Sequence, residues 1–337
     1  MTDVAPARSI AEVPPGRLFH DEFHDGFRTT GPDARWFHTT AGPHVADDGT
    51  VRTSAEGLRV VSGGPEGRPV FTRTVAQDTT PGAVPGVLDH VKWLVYTTHR
   101  TADGTPGFEV PAGQVLTGTA VVSGRTHGTT RHPFGDQVTD PEDDLRLAST
   151  GINAVDPETY VIFDFLLTNR RVYAFYERLP FARAELGRYA AFSYGVPVAD
   201  RSPEDEHELV LSYDRDAGVA RWLLDGREVF RVDRIGHHLP GREHLMLDHG
   251  GTEALVVPRQ LNFGMGMLTL LDGALPGHSP VGLVRLVGDP GFYVDPVAGE
   301  PTPQRFVDEA SRPGSRLFGQ GAELSVRRYT VQRGPAR

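Results

Sequence analysis

The chain contains no cysteine. That excludes disulfides, thiolate metal sites and a cysteine nucleophile. Lysine is almost absent: Lys92 stands alone among 34 basic side chains. Arginine bias of this kind resembles proteins of high-GC actinobacteria, and a lysine kept under such bias is a candidate for a specific role. Positive charge is in deficit, with 34 basic against 44 acidic residues and a net charge of −10. No nucleic-acid partner is therefore expected. No apolar run reaches the roughly 18 residues of a membrane-spanning helix, so no membrane partner is expected either. The opening MTDVAPARSIAEVPPG lacks the apolar stretch of a secretory signal. If that start is native, the expectation is a cytoplasmic protein. Also missing are a Gly-x-Gly-x-x-Gly after a strand, a phosphate loop, His-Glu-x-x-His and Gly-x-Ser-x-Gly. Nucleotide, flavin and zinc-protease readings lose their main support, and no cofactor is expected.

Glycine and proline are plentiful, at 39 and 27 of 337 residues. Both interrupt helices and punctuate turns, which argues against a helical protein. A hydrophobic share of 38% and an aromatic share of 9% are too high for a disordered chain. Short β-rich runs recur between turn signals: Gly57–Ser62, Val91–Thr97, Leu116–Ser123, Tyr160–Leu167, Val172–Leu179, Glu208–Tyr213, Val219–Leu224, Glu228–Val232 and Leu324–Val331. This spacing predicts an all-β, two-sheet antiparallel β-sandwich. Short helices are expected only at Pro303–Ala310 and Phe181–Leu186. No repeat or low-complexity linker divides the chain. The expectation is one domain over 16–332, with tails at 1–15 and 333–337.

Two hairpins stand out. In Val219–Val232 the two strands meet at Asp225-Gly226, a dipeptide suited to a two-residue turn with positive φ at both positions. In Tyr160–Arg178 the turn is Asn169-Arg170. A two-residue turn there pairs Thr168 with Arg171, Leu166 with Tyr173 and Ile162 with Glu177. Strand alternation then puts Val161, Phe163, Phe165, Leu167, Val172, Ala174 and Tyr176 on one face, the core. Ile162, Asp164, Leu166, Tyr173, Phe175 and Glu177 share the other. Asp164 and Glu177 become diagonal neighbours with Cα atoms roughly 5–8 Å apart.

The block YDRDAGVARWLLDGREVFRV at 213–232 resembles the strand–turn–strand near the end of concanavalin A-like lectin/glucanase jelly rolls. Leu18–Phe27 is similar to their first strand, which in that fold lies beside the C-terminal strand, here Leu324–Val331. The resemblance implies a concanavalin A-like jelly roll with a few short helices and a groove that commonly takes a glycan. Glucanases of this fold often carry Glu-x-Asp-x-x-Glu on one strand, and that pattern is absent here. The chain also looks like a family of uncharacterised actinobacterial proteins, which implies no activity.

Candidate site residues follow from these placements. Burial beside a second carboxylate raises a carboxyl pKa, so Asp164 and Glu177 could act as an acid and a base near neutral pH. The rival reading is two solvated carboxylates paired with Arg171 or Arg178. Alternation sets His90, Lys92 and Tyr96 opposite the core residues Val91, Trp93 and Val95. Lys92 joins the catalytic candidates as an electrostatic or Schiff-base lysine. His90 and Tyr96 are substrate-binding candidates, as are Tyr173 and Phe175. Arg125 and His127, in a Gly-rich stretch over 124–133, could orient an anion or a sugar hydroxyl, or form a plain polar loop. A structural Ca²⁺ is weighed at Asp21 and Asp25, and at Asp140, Asp143 and Asp144, against ordinary solvated acidic loops.

These residues suggest a cofactor-independent cyclase, isomerase or lyase of actinobacterial specialised metabolism, acting on a small, partly apolar substrate. The alternative is a carbohydrate-binding or glycoside-cleaving protein, with Trp36, Trp93 or Tyr194 stacking on sugar rings. The second alternative is a non-catalytic interaction domain. Oligomeric state is not legible.

Overall fold

Alternating apolar residues at period two force a strand to bury one face, and two such sheets satisfy each other by packing face to face. The computed structural model, which describes residues 16–41, 44–62, 91–275, 277 and 279–336, has this arrangement. Among the described residues, eight strands form one antiparallel sheet and nine form the other. The eight-stranded sheet runs, in spatial order, Arg227–Val232, Val219–Leu224, His207–Asp214, Gln114–His127, Gly321–Pro335, Gly57–Val61 and Thr50–Ser54, with Arg17–Asp21 also paired to Gly321–Pro335. The nine-stranded sheet runs Leu245–Asp248, Phe192–Asp200, Arg171–Arg178, Val161–Leu167, Ser149–Val155, Gln260–Leu268, Val91–Thr97 and Trp36–His38, with Phe108–Glu109 paired to Gln260–Leu268. The β-sandwich read from the sequence is the fold of the protein.

The first strand lies against the last, with Asp21 opposite Tyr329, as expected. Pairing of the last strand continues through Pro335 opposite Gln114, into the stretch read as a tail. The Val219–Val232 hairpin turns at Asp225 and Gly226, both with positive φ (50° and 79°). Phe181–Leu186 is helical, as a turn of 3₁₀ helix over Pro180–Ala182 followed by Arg183–Leu186. Pro303–Ala310 is not: Phe306–Asp308 is a strand, paired in parallel with Gly282–Val284. This small ladder belongs to a segment packed over the far side of the nine-stranded sheet.

The decisive hairpin has the expected register, with Leu166 opposite Tyr173 and Ile162 opposite Glu177. Its turn is held by side chains. The Thr168 Oγ1 accepts from the Arg171 N–H at 3.0 Å. The Asn169 amide pairs with the backbone of Thr126 in the opposite sheet, accepting from its N–H at 2.8 Å and donating to its carbonyl at 3.0 Å. Asn169 thus mimics one rung of a ladder, which supports an Asn-Arg turn that backbone preference alone would not favour. Val161, Phe163, Phe165, Leu167, Val172, Ala174 and Tyr176 all enter the main core.

Two hydrogen bonds cross that core from the eight-stranded sheet. The buried Trp222 indole N–H donates to the carbonyl of Asp164 at 2.7 Å. The buried Tyr329 hydroxyl donates to the carbonyl of Gly264 at 3.1 Å. Buried donors need acceptors, and both find theirs on the backbone of one row of the opposite sheet.

Candidate acid–base site

That row crosses the nine-stranded sheet. Phe37 is opposite Tyr96, Tyr96 opposite Gly264, Gly264 opposite Asn153, Asn153 opposite Asp164 and Asp164 opposite Phe175. Trp36, Val95, Phe263, Ile152, Ala154 and Phe165 lie in the core, so the row's own side chains point to the opposite face. Glu177 lies one pair further along its strand, with Ser193 as its neighbour on the next. Asp164 and Glu177 are therefore diagonal partners on one face, as the alternation required.

This corner of the sheet is largely sealed. Leu145, Met246 and Leu270 pack over Leu166, Tyr173 and Phe175. Asp164 is only 3% exposed, while Glu177 is partly exposed. Among the described residues no cation pairs with either one. Asp164 Oδ1 and, on the adjacent strand, Asn153 Oδ1 are buried without a hydrogen-bond partner. Burial, and then the charge of Glu177, hold the Asp164 carboxyl well above the usual range. Burial raises Glu177 to about 7; the charge of Asp272 adds to this and the Ser193 hydroxyl opposes it, donating to Glu177 Oε2 at 2.8 Å. Burial, then the charges of Asp164 and Glu177, keep the Tyr96 hydroxyl protonated well beyond its ordinary range. The pair thus loses its first proton near neutrality and retains its second. A fold rarely leaves such groups unpaired without a functional reason.

Glycine is needed at 264. A Cβ there would lie 2.3 Å from the Val95 carbonyl oxygen, 2.4 Å from Asn153 Oδ1 and 2.7 Å from the Tyr96 ring. Its absence lets Tyr96 lie against the sheet beside Asn153. At the far end of the row the Phe37 ring is 37% exposed and its centroid is 6.3 Å from that of Tyr96.

Of the expected residues, Asp164, Glu177 and Tyr96 come together. Tyr173 and Phe175 share their face but are 8% and 2% exposed, and the Tyr173 hydroxyl donates to Asp143 Oδ1 at 3.0 Å. Phe175 is packed under the covering segment, while Tyr173 lines a cavity of about 400 Å³ beside Asp143, Arg171 and Met246. Lys92 is fully buried, and burial lowers it to about 8 against the opposing charge of Asp48. It sits four residues from Tyr96, about 13 Å along the strand, and so does not join the pair. His90 lies outside the described residues. Arg125 and His127 are not in a loop: they end the long Gln114–His127 strand of the other sheet. Arg125 is exposed there, paired with Glu204 at 2.7 Å. His127 is held below its ordinary pKa by burial and then by the charge of Lys92. Trp36, Trp93 and Tyr194 are each 0% exposed in the core, so none can stack on a sugar.

The carboxylates weighed for Ca²⁺ are engaged separately. Asp21 accepts from the Trp36 indole at 2.9 Å and the Phe23 N–H at 2.9 Å, and pairs with Arg35; Asp25 is exposed. Asp140 pairs with Arg170, Asp143 with Arg171 and Asp144 with Arg146. Among the described residues no group of three or more His, Asp or Glu could hold a metal ion.

The sequence reading missed Phe37, Asn153, Ser193 and Asp272. Asn153 had a signal, since Ser149–Val155 alternates around Ile152 and Ala154. Asp272 had none, because a loop places it.

Among solved structures, the chain is similar in outline to an endo-β-1,3-glucanase from Pyrococcus furiosus (10% identity, TM-score 0.45, 95% of each chain covered). It is similar also to an endo-1,3-β-glucanase (laminarinase) catalytic domain from Thermotoga petrophila RKU-1 (11% identity, TM-score 0.41, 95% of this chain and 98% of that one). Likeness at this level carries no residue from one protein to another. By sequence, the chain is 30% identical over 334 residues to Uncharacterized protein L829 of Acanthamoeba polyphaga mimivirus, covering 82% of this chain and 68% of that protein. Residues 20–335 match the model of a family of unknown function, DUF6081, and the chain belongs to that family.

Proposed function

We propose that the protein is a carbohydrate-active enzyme, cleaving or transferring a glycosidic bond on the outward face of its nine-stranded sheet. The observation that carries this reading is the uncompensated pair of Asp164 and Glu177 on one face, continued by an aromatic row. Glycoside hydrolysis commonly uses two carboxyls in different protonation states that flank the scissile bond, one at the leaving oxygen and one serving the anomeric carbon. Asp164, which keeps its proton, is the acid, and Glu177, which releases its own near neutrality, is the base. From Asp164 to Phe37 the row spans four strand spacings, about 19 Å, enough for several sugar units. Tyr96 and the exposed Phe37 offer apolar ring faces for sugar stacking. The pair sits on adjacent strands, which accounts for the absence of a one-strand carboxylate motif.

The small apolar substrate of the cyclase, isomerase or lyase reading gains no support here. The apolar side chains flanking the pair, Leu166 and Phe175, are each 2% exposed and already packed.

The test is product release from a panel of soluble glycans, followed by mass spectrometry. Asp164→Asn and Glu177→Gln should each lower turnover by about 10²-fold or more with the fold intact. Phe37→Ala should raise KM several-fold and leave kcat unchanged. Absence of both binding and product across the panel, or full activity in both carboxyl variants, overturns the reading.

A further inference from the structure

Asp272 is 1% exposed and belongs to the segment that covers the nine-stranded sheet. Its Oδ2 accepts the Tyr293 hydroxyl at 2.9 Å, while its Oδ1 is buried with no hydrogen-bond partner. Tyr293 is itself fixed: its hydroxyl accepts from the Val287 N–H at 3.2 Å, and its ring packs with Leu247, Val287 and Phe306. Leu247 is the ladder partner of Ser193, and Ser193 holds Glu177. A continuous set of contacts thus runs from the covering segment to the base of the proposed pair.

The groups around Glu177 make Asp272 distinctive. From the neighbouring strand comes Asp164, and from across the sheet the Tyr96 hydroxyl. Ser193 stands on the other side. On the strand beyond, Asp248 is neutralised by Arg242 at 3.2 Å and takes the Gly250 N–H at 2.7 Å. The nearby His249 has its Nδ1 on the Phe292 carbonyl at 2.7 Å and is lowered by burial to about 4, hence neutral. Among the described residues no basic side chain pairs with Asp164, Glu177 or Asp272, and the charge of Asp272 raises the Glu177 carboxyl pKa.

We propose that Asp272, clamped by Tyr293, is the third carboxyl of the site: a positioning residue that governs when the Asp164–Glu177 pair gives up its first proton. The inference rests on the acid–base reading above and deepens it. Burial raises Asp272 to about 6, with the Tyr293 hydrogen bond opposing the rise. Once ionised, its negative charge opposes proton loss from Glu177. Like charges sharing a buried site ionise one after another, which lets Asp164 keep its proton while Glu177 loses its own.

The experiment is a ¹³C-carboxyl NMR titration of Glu177 in the full chain, the resonance being assigned by its loss in Glu177→Gln. In Asp272→Asn the Glu177 midpoint should fall by about one pH unit. In Tyr293→Phe it should fall by less, because Asp272 then stays protonated further into the range. The acidic limb of the turnover profile should move the same way. A Glu177 midpoint that moves by less than about 0.2 unit in both variants overturns the proposal, and Tyr293→Phe decides alone if Asp272→Asn does not fold. The titration needs no substrate, so it decides this role even if the glycan panel fails. Full activity in the Asp164 and Glu177 variants would sink the glycan reading and leave the titration result unchanged.

Discussion

Asp144 and Asp164 are almost equally removed from water, at 4% and 3% exposure, yet their surroundings are opposite. Asp144 receives the Arg146 guanidinium through Nε at 2.9 Å and Nη2 at 2.7 Å, plus the Arg146 N–H at 2.9 Å. Arg146 also donates to the Gln137 carbonyl at 2.6 Å. Every charge there is answered. Asp164 faces a second carboxyl, a tyrosine hydroxyl and an amide oxygen, and one of its own oxygens has no partner. Burial alone therefore says little about function. A buried carboxyl with no countercharge is one that the fold holds at a cost in stability, and that distinguishes a chemical site from a structural tie.

The comparison can be broken by substitution. Asp144→Ala should show the largest effect. It strands a buried guanidinium, and the loss should be about 3–5 kcal/mol in denaturant unfolding. Asp164→Asn should do the reverse. Near pH 5–7 the folded protein holds protons on Asp164 and Glu177 that the unfolded chain has released near pH 4, so native stability falls as pH rises through that window. Removing the ionisable group should flatten the fall and leave the variant about 1–3 kcal/mol more stable than the native protein at pH 7.5. Destabilisation at that pH would place Asp164 with Asp144, as a structural group. Trp222→Phe keeps most of the bulk and removes the donor to the Asp164 carbonyl. It should cost about 1–2 kcal/mol, with a larger fractional loss in turnover than in substrate binding. Arg125→Ala, at an exposed pair, should change stability by less than about 0.5 kcal/mol and leave turnover unaltered. A large effect there would mean that the outer sheet carries chemistry.

What could be read from the sequence depended on how local the signal was. The 161–178 hairpin was legible down to its register, because strict alternation over two strands allows only one face assignment. Asp225-Gly226 was legible because the dipeptide names its own turn. The central Gln260–Leu268 strand was not. Gly264 and Gly266 look like breakers in a linear reading, yet they are required where Tyr96 and Leu94 lean against the sheet. Phe306–Asp308 was misread as helix because its partner, Gly282–Val284, lies some twenty residues away and supplies the pairing that local propensity lacks. The tryptophans looked like sugar platforms by type alone, and only packing shows that the core consumes them. The two carboxyls were visible because one hairpin carries both. Asn153 was marked only by the alternation of its own strand, and Phe37 and Asp272 were hidden because a separate strand and a loop deliver them.

The crossed hydrogen bonds from Trp222 and Tyr329 have a consequence for how this protein can vary. They pin the Asp164–Gly264 row to the opposite layer at two points, so neither layer can slide without dragging that row with it. A change in the hairpin at 219–232 would therefore move the Asp164 carboxyl and, under the proposed chemistry, alter proton transfer before the fold is lost.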